Sequence, residues 1–201
     1  MANAVTPSTM TDGQIDKAVD VLRSKLRKHR EELPSDAVQM VLGQDDLADE
    51  LFKGFRARVD RVSSMIIRHV TVDRTRTAKG ALDATGRTQY TDKGVVKAMP
   101  KGEGDEVEVC FFKIGTWVND DQLEDEYALR GLIPADPFSL AAVSEADPAF
   151  ADQYPNGTHW KDAKGRWCFA AFDRWNGERR VNVDRLDDDW NDRWWFAGLR
   201  K

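Results

Sequence analysis

The sequence predicts an α+β fold, a helical N-terminal segment followed by a unit of short strands and capped helices. Three observations predict it. Apolar residues recur at helical spacing through the first third, β-rich runs begin after Gly104, and two sharply capped helices stand between the first and last of those runs. The expected organisation is a helical region over 1–72, a connector over 73–104 and a strand-rich domain over 105–201.

From Thr11 to Leu33, Ile15, Val19, Leu22 and Leu26 fall on one side of a helix. Asp16 and Asp20 come early and Arg27, Lys28 and Arg30 late, which suits the helix dipole. Pro34 stops it. Ser35 or Asp36 can cap a second helix through Val38, Val41 and Leu42, ending near Gly43. A third carries Leu47, Leu51, Phe55, Val59, Val62 and Ile66 and reaches about His69, and the three stripes are expected to bury one another. Between Thr71 and Gly104, threonines alternate with basic residues and glycines, so only short helices near Ala78–Ala84 and Gly94–Met99 are expected.

The C-terminal half starts with a strand, Val107 to Ile114. Asn119, with Gln122 three residues on, caps a helix that ends at Gly131. Asp136 caps the next, Pro137 suits its first turn, and Asp147-Pro148 ends it. Strands follow at Arg166–Phe172, around Val181 and Val183, and at Trp194–Leu199. Asn156-Gly157-Thr158 reads as a turn rather than a glycosylation site.

Composition bounds the function. A charged fraction of 32% and a mean hydropathy of -0.60 leave no apolar run able to span a bilayer. Met1 to Met10 has neither a basic opening nor an apolar core, so a soluble cytoplasmic protein without a membrane partner is expected. The net charge of -5 argues against a general nucleic-acid binder, and the basic run Arg23 to Arg30 reads as a solvated helix face. Cys110 and Cys168 each sit in an apolar run, as buried reduced thiols do. His29, His69 and His159 lack metal-ligand spacing and neither cysteine lies in a nucleophile motif, so no enzyme, cofactor or metal is expected.

The order strand, helix, helix, short strands is joined by Gly131-Leu132-Ile133-Pro134-Ala135-Asp136, Tyr154-Pro155, Trp160-Lys161-Asp162 with Gly165, Gly177-Glu178-Arg179-Arg180, and the run from Trp195 to Lys201. Together these resemble the target (variable) proteins of diversity-generating retroelements, in particular a group from small-genome uncultivated bacteria. The resemblance covers roughly 105–201. It implies a C-type-lectin-like domain whose first and last strands pair, and a stretch near the C-terminus rewritten by adenine-directed, error-prone copying. Between Asp173 and Arg193, nine of 21 residues are Asn or Asp, against 31 in the whole chain of 201. Faithfully copied or once-changed Asn codons would give that bias; a turn-rich loop would too, but without the interleaved Trp and Arg.

The residues expected to bind a protein or other macromolecular ligand are Arg174, Trp175, Asn176, Arg180, Asn182, Asp184, Leu186, Asp187, Asp188, Trp190, Asn191, Asp192 and Arg193. In Arg180-Val181-Asn182-Val183-Asp184 the valines share one face and the polar residues the other, so the polar set is expected to vary at little cost in stability. Trp160, Trp167 and Trp195 are assigned to the core, Trp175 and Trp190 to the face. Trp190-Asn191-Asp192 matches a calcium motif of lectins, yet its partner loop is missing and no calcium is expected. The rival reading makes the Trp-rich stretch a structural or assembly module with subunit contacts.

Overall fold

A computed structural model describes residues 9–185 and 188–201. The chain is α+β and divides into two compact units, 1–54 and 55–201.

In the first unit, α1 (Asp12–Lys28) begins with a reciprocal cap, Thr11 Oγ1 accepting from the Gln14 N–H at 3.3 Å and Gln14 Oε1 from the Thr11 N–H at 2.9 Å. A 3-10 turn, Arg30–Glu32, and Pro34 separate it from α2 (Ser35–Leu42). Pro34 itself is the N-cap, so neither Ser35 nor Asp36 caps this helix: both already lie inside its first turn. Gly43 closes it, and α3 (Leu47–Ser63) runs on past the end of the unit. No residue of these three helices is buried. The stripes therefore do not bury one another.

The second unit holds an eight-stranded sheet. Helix α3 stops at Ser63, short of His69, because Ile66, Ile67, Val70 and Thr71 are β-branched and alternate in burial, giving strand β1 (Ile66–Thr71). The expected connector is also structured: α4 (Ala78–Ala84), β2 (Thr88–Thr91) and α5 (Lys93–Lys97), with Thr77 and Asp92 as N-caps. It is tied in by its own core residues Leu82, Val95 and Met99, and by buried Arg87, which donates to Ser144 Oγ, the Asp173 carbonyl and the Pro148 carbonyl at 2.6 to 3.0 Å.

Next come β3 (Glu106–Lys113), α6 (Asp120–Leu129), β4 (Leu132–Pro134), α7 (Pro137–Ala146), α8 (Phe150–Gln153), β5 (Asn156–Lys161), β6 (Trp167–Trp175), β7 (Glu178–Arg185) and β8 (Trp195–Arg200). Helices α6 and α7 carry the expected caps, Asn119 with Gln122, and Asp136 with Pro137. The sheet order is β1-β3-β8-β5-β6-β7-β2, with β4 also on β8. As expected, β3 and β8 pair antiparallel, Cys110 to Lys113 against Gly198 to Trp195. Asn156-Gly157-Thr158 is not a turn but the start of β5, where Thr158 Oγ1 donates to the Ala135 carbonyl at 2.5 Å.

One sheet face, with Val109, Phe111, Ala170, Phe172, Val181 and Val183, is covered by α4, α5, α7 and α8. On the other, Phe112, Ala171 and Phe196 pack with Leu123 and Tyr127 of α6 and with Trp190. Burial of a Val, Leu or Phe side chain contributes about 1.5–3 kcal/mol, so both layers are needed. Trp190 belongs to this core and not to the surface: its ring lies on Gly157, where any Cβ would come within 2.9 Å. Cys110 and Cys168 are free and buried, and burial pushes both thiols up. Among the described residues, no helix is long and apolar enough to cross a membrane.

Candidate functional site

Strands β6 and β7 are joined by Asn176 and Gly177, both at positive φ (49° and 84°), the geometry of a type I′ hairpin. Asn-Gly is thus demanded by the turn. The hairpin sets Asp173 opposite Arg180 and Trp175 opposite Glu178 on one sheet face, and β2 adds Tyr90 beside Asn182. This is the part of that face left outside the Trp190 core.

Asp173 is fully buried there, yet two guanidinium groups reach it. Arg180 donates through Nε at 3.1 Å and Nη2 at 2.7 Å, and Arg193 through Nη2 at 3.0 Å. The carboxylate holds Arg180 above its ordinary value. Both arginines are laid against aromatic rings. The Arg193 guanidinium carbon is 4.5 Å from the Trp194 ring centre and 5.3 Å from Trp175; that of Arg180 is 5.6 Å from Trp175 and 6.0 Å from Tyr90. The result is a ladder, Trp194, Arg193, Trp175, Arg180, Tyr90, in which cations alternate with π faces. Tyr90 in turn donates to Glu178 at 3.0 Å, which raises its hydroxyl.

Trp117, 62% exposed, joins this ladder across a shallow cleft of about 460 Å³ lined also by Asn191 and Asp192. A two-way backbone bridge between Val118 and Trp190 fixes the segment that carries it. The structure thus brings together Trp175, Arg180, Asn191, Asp192 and Arg193 from the expected set. Asn182 and Asp184 point to the same sheet face, while Arg174 points to the other and reaches toward Asp152 at 3.6 Å. Asn176 serves the turn, Asp188 is exposed, Trp190 is core, and Leu186 and Asp187 lie outside the described residues.

Sequence reasoning missed Asp173 as a site residue, and with it Tyr90 and Trp117. Asp173 lies two residues before Trp175 on the same strand face, so the alternation read for Arg180 to Asp184 could have found it. Tyr90 carried no such signal, lying in a stretch read as connector. Arg180 and Arg193 carry a link the sequence reading did not include: replacing both would leave the buried Asp173 carboxylate without a guanidinium partner.

A second cleft, of about 670 Å³, opens where β5 diverges from β4 and β8. On its wall is His159, buried and stacked on Trp167 at 4.4 Å, with Lys161 Nζ 4.4 Å from the same ring. Its Nδ1 lies 2.5 Å from Asp120 Oδ1, and its Nε2 makes a close ion pair, 2.9 Å, with Glu124 Oε1. Burial alone would push this imidazole down; the two carboxylates outweigh it and hold His159 above its ordinary value. Asp120 Oδ1 also accepts from Trp190 Nε1 at 3.4 Å, so the histidine knot ties α6 to both β5 and the Trp190 segment. Among the described residues, no group of three or more His, Cys, Asp or Glu side chains is arranged to hold a metal ion. Compared with known proteins, the chain matches no family model, no curated protein and no solved structure.

Proposed function

We propose that this protein is a ligand-binding protein, without chemistry of its own, that recognises a protein or other macromolecule through the Trp175-centred face. The single observation that carries this reading is the exposed ladder of Trp, Tyr and Arg side chains, held rigid by a buried carboxylate. Aromatic and arginine anchors of fixed conformation are the composition of binding hot spots, because little side-chain entropy is lost when they engage. Trp175 is 51% exposed and Trp117 and Tyr90 similarly open, an arrangement a purely structural stretch would not need.

On the same reading the domain is C-type-lectin-like and the target of a diversity-generating retroelement, acting in the cytoplasm. Support comes from the pairing of β3 with β8 and from the separation of Val181 and Val183, fully buried, from Asn182 and Asp184 on the opposite face. Such a scaffold tolerates exchange on one side only. The rival use of the Trp-rich stretch in subunit contacts gains one position, Trp190, but its partners are residues of its own domain.

The test has two arms. The DNA around the coding sequence should hold a reverse transcriptase gene and a near-copy of the region encoding 173–193, differing at adenines. Independently, Trp175→Ala combined with Asn182→Ala should abolish capture of a partner from an extract of the source community, while circular dichroism shows the domain still folded. Equal capture by both forms overturns the binding-face reading.

A further inference from the structure

Helix α1 carries Ile15, Val19, Leu22 and Leu26, each between 41 and 52% exposed, and no residue of this helix is buried. Their spacing of four, three and four residues is that of the d and a positions of a coiled-coil heptad, narrower than the broad stripe of a helix that packs on a globular core. A face of this kind needs a second helix, and its flanking charges say which one.

With Ile15 and Leu22 at d and Val19 and Leu26 at a, Asp16 and Arg23 fall at e, and Ala18 and Lys25 at g. A parallel pair of identical helices would set Arg23 beside the partner's Ala18 and Asp16 beside the partner's Thr11, so neither charge would meet an opposite one. An antiparallel pair about a twofold axis sets Ile15 on the partner's Leu26 and Val19 on the partner's Leu22, so every apolar position finds an apolar position. The same register sets Asp16 beside the partner's Arg23, twice by symmetry. It also runs the acidic start of the helix, with Asp12 and Asp16, along the basic end, with Lys25, Arg27 and Lys28. Among the described residues of one chain, Arg23 pairs with Asp20, on the solvent side, and both are more than half exposed, so Arg23 can also reach a carboxylate across the seam.

We propose that two copies of this chain associate through α1, packed antiparallel, with Val19 and Leu22 at the centre of the seam. The seam is only about two heptads long, so association depends on concentration. A dimer of this form carries two copies of whatever the remainder of the chain binds, which converts modest single-site affinity into avidity.

Sedimentation velocity of the full chain, from low to high micromolar, tests it. The expected result is reversible conversion from 22.8 kDa to twice that mass. Leu22→Asp should hold the protein monomeric, with the near-ultraviolet circular dichroism of the sheet-bearing unit unchanged. Asp16→Lys and Arg23→Asp should each weaken self-association about 10-fold, and the two together should restore it, because each new lysine then meets a new aspartate across the twofold. A monomer at every concentration overturns the proposal. So does an assembly other than a dimer, or a dimer indifferent to the single charge changes or not rescued by the pair; those results would assign the seam to another helix or another protein.

Discussion

Asp173, with no exposed surface, lies 2.7 Å from Nη2 of Arg180, its cross-strand neighbour, and shares the same oxygen, Oδ2, with Arg193. An acid in the sheet interior thus orients two surface cations. Because it unpairs two guanidinium groups at once and empties a buried site, Asp173→Ala should destabilise the domain by about 2–4 kcal/mol. Arg180→Ala, which leaves Arg193 in place, should cost about 1–2 kcal/mol. Urea unfolding of the two single variants and the double would reveal coupling; strict additivity would mean that the carboxylate and the guanidinium act separately.

Val181 and Val183 are fully buried in the core on the helix-covered face of the sheet, while Asn182 and Asp184 face the other way. Either valine changed to Asp should cost more than about 4 kcal/mol and leave little folded protein. Asn182→Ala and Asp184→Ala should stay within about 0.5 kcal/mol. Thermal melts of the four variants check the contrast.

The histidine knot sets a pH dependence of definite sign. His159 is held above its ordinary value, so its stabilising contribution is complete below about pH 6.5 and is lost as pH rises through the folded-state value. Glu124 is lowered, chiefly by its contact with His159, and its contribution fades in the opposite direction, as pH falls through its own folded value. Chemical denaturation between about pH 6 and 9 should therefore show the native protein losing stability relative to His159→Gln as pH rises. A constant difference between the two would exclude a charged His159.

The boundary of the folded unit yields a further test. Residues 55–201 should unfold cooperatively as an isolated fragment. A fragment beginning near residue 100, an attractive cut from sequence, lacks β1, α4, β2 and α5 and the buried side chains of Val70, Val72, Leu82, Val95 and Met99. At about 1.5–3 kcal/mol per side chain that loss matches the whole stability of a small domain, so the shorter fragment should bind hydrophobic dye and melt without a transition. Calorimetry on both fragments distinguishes the outcomes.

What could be read from sequence was local. The Asn119 and Asp136 caps, the buried thiols and the valine alternation of β7 depend on neighbours a few residues away, and all are present in the fold. What could not be read depends on distant partners. Thr88–Thr91 is short and polar, and becomes a strand only by lying parallel to β7. Asn156-Gly157-Thr158 has the composition of a turn because Gly157 must leave room for Trp190. Trp190 itself sits among aspartates, and its polar neighbours concealed a core residue. For the cleft, the hairpin contributed the legible half, Trp175 and Arg180, while Tyr90 and Trp117 arrive from elements 85 and 58 residues earlier than Trp175 in the chain.

The carboxylate of Asp173 also limits how much information this face can hold. Were a combinatorial library built on the protein, positions 180 and 193 would not vary together, since losing both arginines strands the buried carboxylate and such members would be culled for instability before any ligand was met. Diversity would fall first on sites such as 182, 184 and 192, which hold no part of the carboxylate or the ladder. Selected repertoires should accordingly keep Asp173 together with at least one of Arg180 and Arg193, as a grammar on which the remaining positions spell different targets.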